Sequence, residues 1–228
     1  VPFNDLEAIR AAVTPHTAAV MLEVIQAEGG VIVGTQDYIQ GVRALCDELG
    51  ILLIIDEVQT GMGRCGKLFA HELYGVTPDI LSSAKALGNG MPIGAVLAKE
   101  EVAAAFHPGD HGSTFGGNAL ACAAGLAVLT TMLEENIPQK AGETGHYLLS
   151  ILRRMAEGKT SVADVRGAGL LIGIALKEEL KAADVVGKLL EQGCVVGTAA
   201  GNVLRLLPPL IIEKENCDAL VAALADVL

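Results

Sequence analysis

The run Ile51-Leu52-Leu53-Ile54-Ile55 ends directly in an acidic pair, Asp56-Glu57. Five consecutive apolar residues have no polar side for water, so the pattern predicts a strand buried on both faces, as in a parallel sheet. Helical spacing precedes it: Ile39, Val42, Leu45, Cys46 and Leu49 share one face, and Gly50 stands where a helix ends. Val20–Ile25, Asp79–Ser83 and Ile93–Leu97 read as further strands. Strands alternating with helices predict an α/β sheet, whose functional residues collect at the carboxyl ends of the strands.

The pattern changes after a long helix that Asn118 is placed to cap and that runs to about Glu135. A helix from Gln139 to Glu157, strands at Val162–Arg166 and Leu170–Leu176, and a helix to Gln192 follow. Strands at Cys194–Val196 and Val203–Leu207 and a last helix from Asn216 complete the chain. The expected organisation is a large domain over 1–134, including the interdomain helix, and a smaller α+β domain over 135–228.

At 228 residues, with 51% hydrophobic and 19% charged residues, the chain holds enough apolar material for a real core. The net charge of −11 without a Lys/Arg cluster argues against nucleic acid as a partner. No apolar run is long enough to span a bilayer. Cys46, Cys65, Cys122, Cys194 and Cys217 are scattered, without disulfide or metal spacing, which suits a reducing cytoplasm. The five histidines show no ligand spacing either, so no metal is expected. The opening Val1-Pro2-Phe3 lacks an initiator Met, so the natural N-terminus is expected upstream.

Two segments carry chemistry. Asp56 at a buried strand end resembles a nucleotide-hydrolase acid, and Gly61–Lys67 has the glycine and lysine spacing of a phosphate loop. That loop follows the acidic strand, however, and Leu68 stands where a magnesium-binding hydroxyl belongs. Taken alone, Asp56 reads equally as a cap on the next turn. Lys85 lies just past the next strand, among small residues and before Gly88-Asn89-Gly90. Partial desolvation there would free its amine to attack an aldehyde, although a single lysine in such a place is commonly a surface one. The pair is the more informative feature. An aspartate and a lysine at neighbouring strand ends are what pyridoxal 5′-phosphate requires: the acid keeps the pyridine nitrogen protonated and the lysine forms a Schiff base.

The runs Leu53–Gly66 (LIIDEVQTGMGRCG), Pro78–Ala98 (PDILSSAKALGNGMPIGAVLA) and Pro108–Ala124 (PGDHGSTFGGNALACAA) together resemble class III pyridoxal-phosphate aminotransferases. Val165–Ile174 (VRGAGLLIGI) and Asn202–Ile212 (NVLRLLPPLII) fit the same family. The resemblance covers nearly the whole chain, with its motifs in order. It implies the type I fold of pyridoxal-phosphate transferases, here an incomplete large-domain sheet plus a small C-terminal α+β domain.

The resemblance also implies roles. Lys85 carries the cofactor and moves the proton, Asp56 holds the pyridinium, and Gln59 hydrogen-bonds the phenolic oxygen. Thr114, beside Ser113, donates to the cofactor phosphate of the partner subunit, which makes a homodimer necessary. Arg205 grips a substrate carboxylate, and Glu28 pairs with Arg205 when glutamate's second carboxylate is absent. Without the family pattern, Arg205 reads as a cation on an edge strand and Glu28 as an ordinary loop acid. The expected reaction moves the terminal amino group of N-acetylornithine to 2-oxoglutarate. Ornithine, succinylornithine, 4-aminobutyrate and aminoadipate-type amines stay open as donors. Val24 and Ala119 depart from the family, which commonly has proline at both positions. The family's upstream phosphate-binding loop and ring-stacking aromatic residue are not in this sequence, so weak cofactor retention and little turnover are expected of it alone; a folded but catalytically silent piece is the alternative.

Overall fold

The computed structural model describes residues 1–228. In chain order the elements are α1 (Leu6–Ala12), β1 (Ala19–Leu22), β2 (Ile25–Gln26), β3 (Ile32–Val33), α2 (Gln36–Leu49), β4 (Leu52–Asp56) and β5 (Ile80–Ser83). Then come β6 (Ala95–Ala98), α3 (Glu100–Ala103), α4 (Ala119–Glu134), α5 (Ile137–Ala156), β7 (Val162–Ala168) and β8 (Leu171–Leu176). The chain ends with α6 (Ala182–Glu191), β9 (Gly197–Ala199), β10 (Val203–Leu206) and α7 (Lys214–Val227). It divides into two compact units. One comprises Val1–Val24, Gly34–Met62 and Phe69–Glu135; the other comprises Ile25–Val33, Gly63–Leu68 and Asn136–Leu228.

The first unit is built on a four-stranded sheet in the order β1-β4-β5-β6, in which β1, β4 and β5 run parallel and β6 antiparallel to β5. Helix α2 forms where expected. The Thr35 hydroxyl accepts from the Tyr38 N–H at 3.2 Å, Gly50 ends the helix at φ 65°, and Tyr38, Ile39, Val42, Leu45 and Cys46 are buried. Only glycine enters that left-handed region without a Cβ penalty. Strand β4 is less enclosed than its sequence suggested. Leu53 and Ile55 are buried, while Leu52 and Ile54 on the other face are half-buried.

Asp79 ties the lower end of β4 to β5. One carboxylate oxygen accepts from the Leu53 N–H at 2.7 Å and from Arg43 at 2.8 Å; the other accepts from Lys99 at 2.7 Å. Burial alone would raise the pKa of Asp79. The hydrogen bonds from Leu53, Lys99 and Arg43, with the charge of Arg43, outweigh it and bring the group to about 2.

The second unit is an antiparallel sheet, β7-β8-β10-β9, together with the β2-β3 pair. Its core gathers Leu148 and Leu152 of α5, Ile172 and Ile174 of β8, Leu189 of α6, Leu204 of β10 and Leu224 of α7, all fully buried. Each such side chain contributes about 1.5–3 kcal/mol relative to exposure. Two expectations need correction. Val20–Ile25 is not one strand: the chain leaves β1 at Leu22 and re-enters as β2 at Ile25. The strand expected at Cys194–Val196 lies three residues later, at Gly197–Ala199, because Cys194 still closes the turn after α6 through its N–H to the Leu189 carbonyl at 2.8 Å. No single helix is long and apolar enough to cross a membrane.

Candidate active site

Parallel pairing of β4 with β5 sets Asp56 opposite Ser82. The Asp56 Oδ1 accepts the Ser82 hydroxyl at 3.0 Å and the Val58 N–H at 2.8 Å. Asp56 therefore does cap the following turn, and it is also held from the neighbouring strand. Both donors fall on one carboxylate oxygen, so the other keeps its accepting capacity for a further N–H.

Three residues beyond Ser82 the chain turns at Lys85, the start of a short 3-10 turn, Lys85–Leu87. Lys85 adopts φ 48°, a left-handed conformation uncommon outside glycine. Its side chain is exposed rather than partly desolvated as expected.

A buried carboxylate braces the turn after β4. Glu57 is 1% exposed; its Oε2 accepts the Thr60 hydroxyl at 2.6 Å, and its Oε1 accepts the His71 backbone N–H at 2.7 Å. The His71 ring Nδ1 lies 3.2 Å from the same oxygen. The Gly61 N–H donates to the Glu57 carbonyl at 3.0 Å, where a side chain on Gly61 would crowd that oxygen and the Phe69 ring. Gln59, half-buried, rides on this braced turn.

Sequence reasoning passed over both Ser82 and Glu57. A serine one strand from the aspartate and an acid flanked by Thr60 were the signals available.

Residues 103–120 are exposed almost throughout, and Thr114 is among them. The Ser113 hydroxyl accepts from the Gly116 N–H at 3.0 Å and lines an open cleft of about 270 Å³ with Pro92, Ile93, Gly94 and Asn118. The Asn118 side chain caps α4, accepting from the Ala121 N–H at 2.9 Å. In the second unit, Arg205 donates to the Glu28 carboxylate. Strand β10 lies inside its sheet, between β8 and β9, so Arg205 is not on an edge.

An aspartate is fixed at one parallel strand end and a lysine lies just past the next; the chain belongs to the class-III aminotransferases, whose family profile matches residues 2–228. It is 52% identical over 227 residues to an acetylornithine aminotransferase of Methanocaldococcus jannaschii, covering 100% of this chain and 56% of that protein. The acetylornithine aminotransferase of Methanothermobacter thermautotrophicus is 49% identical over 228 residues, 58% of its length. This chain thus spans a little over half the length of these curated relatives.

Among solved structures, an ornithine aminotransferase from Plasmodium yoelii superposes with a TM-score of 0.96 at 39% identity, over 100% of this chain and 61% of that one. An acetylornithine aminotransferase from Elizabethkingia anophelis gives 0.93 at 36% identity, over 100% of this chain and 58% of that one. The fold is that of type I pyridoxal-phosphate transferases, with part of the large-domain sheet.

Proposed function

We propose that the chain carries the cofactor lysine of an aminotransferase that moves the terminal amino group of N-acetylornithine to 2-oxoglutarate. The observation that carries this reading is the Asp56–Ser82 hydrogen bond between adjacent parallel strands, with Lys85 at the exit of the second. The names of the curated relatives supply the substrate. Ornithine as donor is the second reading, favoured by the likeness to the Plasmodium yoelii structure.

The residues present fit pyridoxal phosphate. Asp56 has an oxygen that takes neither of the two donors and suits the ring N–H. Gln59 sits three residues on, with an amide for the phenolic oxygen. When bound, the cofactor supplies an electron-withdrawing ring that stabilises negative charge at the carbon bearing the donor amine. Lys85, exposed and on a fixed turn, would be the nucleophile that tethers it, and its amine would then carry the proton from that carbon to the cofactor's aldehyde carbon. Arg205 takes a substrate carboxylate through its planar fork, and Glu28 is its partner when that carboxylate is absent.

Thr114 and Ser113 lie on an exposed segment, which suits contact with the cofactor phosphate of a second copy in a homodimer. Five free cysteines fit a cytoplasmic setting.

The test is the near-visible absorption spectrum of the protein mixed with pyridoxal phosphate, before and after N-acetylornithine. A band that bleaches with the amine and is absent in Lys85→Ala, which keeps the fold by circular dichroism, is expected. An unchanged band or retained turnover in Lys85→Ala would sink the assignment.

A further inference from the structure

We propose that Arg166 is a positioning residue for the carboxylate site of the second unit, clamping a strained turn so that Glu28 stays on the Arg205 guanidinium. The proposal rests on the reading that Glu28 competes with a substrate carboxylate for Arg205.

Three residues fall in one row across the sheet. Arg166 of β7 pairs with Gly173 of β8, and Gly173 pairs with Arg205 of β10. Directly paired residues put their side chains on the same face, and adjacent strands lie about 4.8 Å apart, so the two arginines flank a bare glycine roughly 10 Å apart.

Val31 fills the space over that glycine. It is fully buried, and a Cβ on Gly173 would come within 2.9 Å of the Val31 Cβ. Val31 has φ 55°, where a β-branched residue is an outlier, and its neighbour Gly30 has φ 111°. A strained backbone persists only where its surroundings over-determine it.

The surroundings here are specific. The Arg166 Nε donates to the Gly30 carbonyl at 3.2 Å and the Val31 carbonyl at 3.1 Å, and Nη2 donates to the Gly30 carbonyl at 2.7 Å. Its Nη1 is steadied by Asp164 at 2.9 Å. On the far side of the turn, the Ala200 N–H donates to the Glu28 carbonyl at 3.0 Å. A side chain on Gly30 would meet both the Ala200 carbonyl and the Arg166 guanidinium. Arg166 thus grips one end of the turn while Glu28, from the other end, reaches Arg205. A lysine has no planar fork to span two carbonyls.

The strength of Glu28 as a competitor is therefore set by Arg166, whose donors go to the carbonyls of the turn and to Asp164. The experiment compares Arg166→Met, Arg166→Lys, Glu28→Gln and the double variant Glu28→Gln/Arg166→Met, each loaded with pyridoxal phosphate. Glutarate, an unreactive dicarboxylate, is titrated by calorimetry, and KM is measured separately for 2-oxoglutarate and N-acetylornithine.

Glu28→Gln and Arg166→Met are each expected to tighten glutarate and lower the KM for 2-oxoglutarate by about fivefold, the upper end for an ion pair whose carboxylate is largely exposed. Arg166→Lys should fall between wild type and Arg166→Met. The double variant should gain nothing over Glu28→Gln, because Arg166 acts through Glu28. Glu28→Gln without effect would remove the competing-carboxylate reading and this proposal with it. An effect of Glu28→Gln with none from Arg166→Met, or an additive double variant, would overturn the proposal alone. Should Arg166→Met fail to fold, wild-type glutarate affinity in a folded Arg166→Lys would overturn it.

Discussion

Asp79→Asn keeps the shape of the group that joins β4, β5 and α2 and removes its charge. The folded aspartate sits at about 2, against an ordinary 3.8, and its side chain is only 9% exposed. Each pKa unit corresponds to 1.36 kcal/mol, so the shift is worth about 2.5 kcal/mol of stability at neutral pH. Because the folded pKa is the depressed one, that stability is present above 3.8 and drains away as pH falls through about 2. At pH 3 about half remains.

Asparagine has one acceptor oxygen, so its amide cannot receive Leu53 and Arg43 on one atom and Lys99 on the other, as the carboxylate does. Paired urea titrations of wild type and variant at pH 7, 5, 4 and 3 should show a deficit of about 2–3 kcal/mol at pH 7, halving by pH 3. Carboxylates common to both proteins cancel in the difference. A deficit below about 0.5 kcal/mol at pH 7, the range of an ordinary surface change, would refute the reasoning. So would a deficit that does not change with pH.

Ser82→Ala removes one of the two donors to Asp56 while leaving its strand intact. Fluorescence titration with pyridoxal phosphate should show about fivefold weaker binding, equivalent to the roughly 1 kcal/mol of one hydrogen bond, and unchanged affinity would deny Ser82 this role. Glu57→Ala strands the Thr60 hydroxyl and the His71 N–H in a dry site. It should cost about 2–4 kcal/mol in chemical denaturation, and a smaller loss would mean that water replaces the carboxylate.

How much of this was legible in the sequence follows from the range of the forces involved. Helix α2 could be read because its apolar face and its Gly50 stop are local. Strand β4 could be read because an apolar run this short, ending in charge, fits little besides a strand that enters the core and leaves it. The direction of β6, antiparallel on an otherwise parallel sheet, leaves no trace in the short run Ala95–Ala98. The two-residue strands β2 and β3 are shorter than any periodicity. The exposure of Lys85 depends on what other elements bring to it, which its flanking residues do not record. Asp56 and Lys85 were recognisable as a pair, but the Ser82 hydroxyl depends on strand register. The Arg166 contacts to Gly30 and Val31 span 136 and 135 residues, beyond the reach of any local pattern.

The partition of the chain also has a consequence in time. The second unit is assembled from Ile25–Val33, Gly63–Leu68 and Asn136–Leu228, so its segments are synthesised far apart. Glu28 and Arg205 are separated by 177 residues. At the roughly 5–20 residues per second of translation, Glu28 leaves the ribosome some 10–35 s before its partner. For most of that interval, until Arg166 and strands β7 and β8 are made, the strained turn at Val31 has neither its clamp nor its sheet. The β2-β3 segment must wait, and the carboxylate site is among the last features of the molecule to exist.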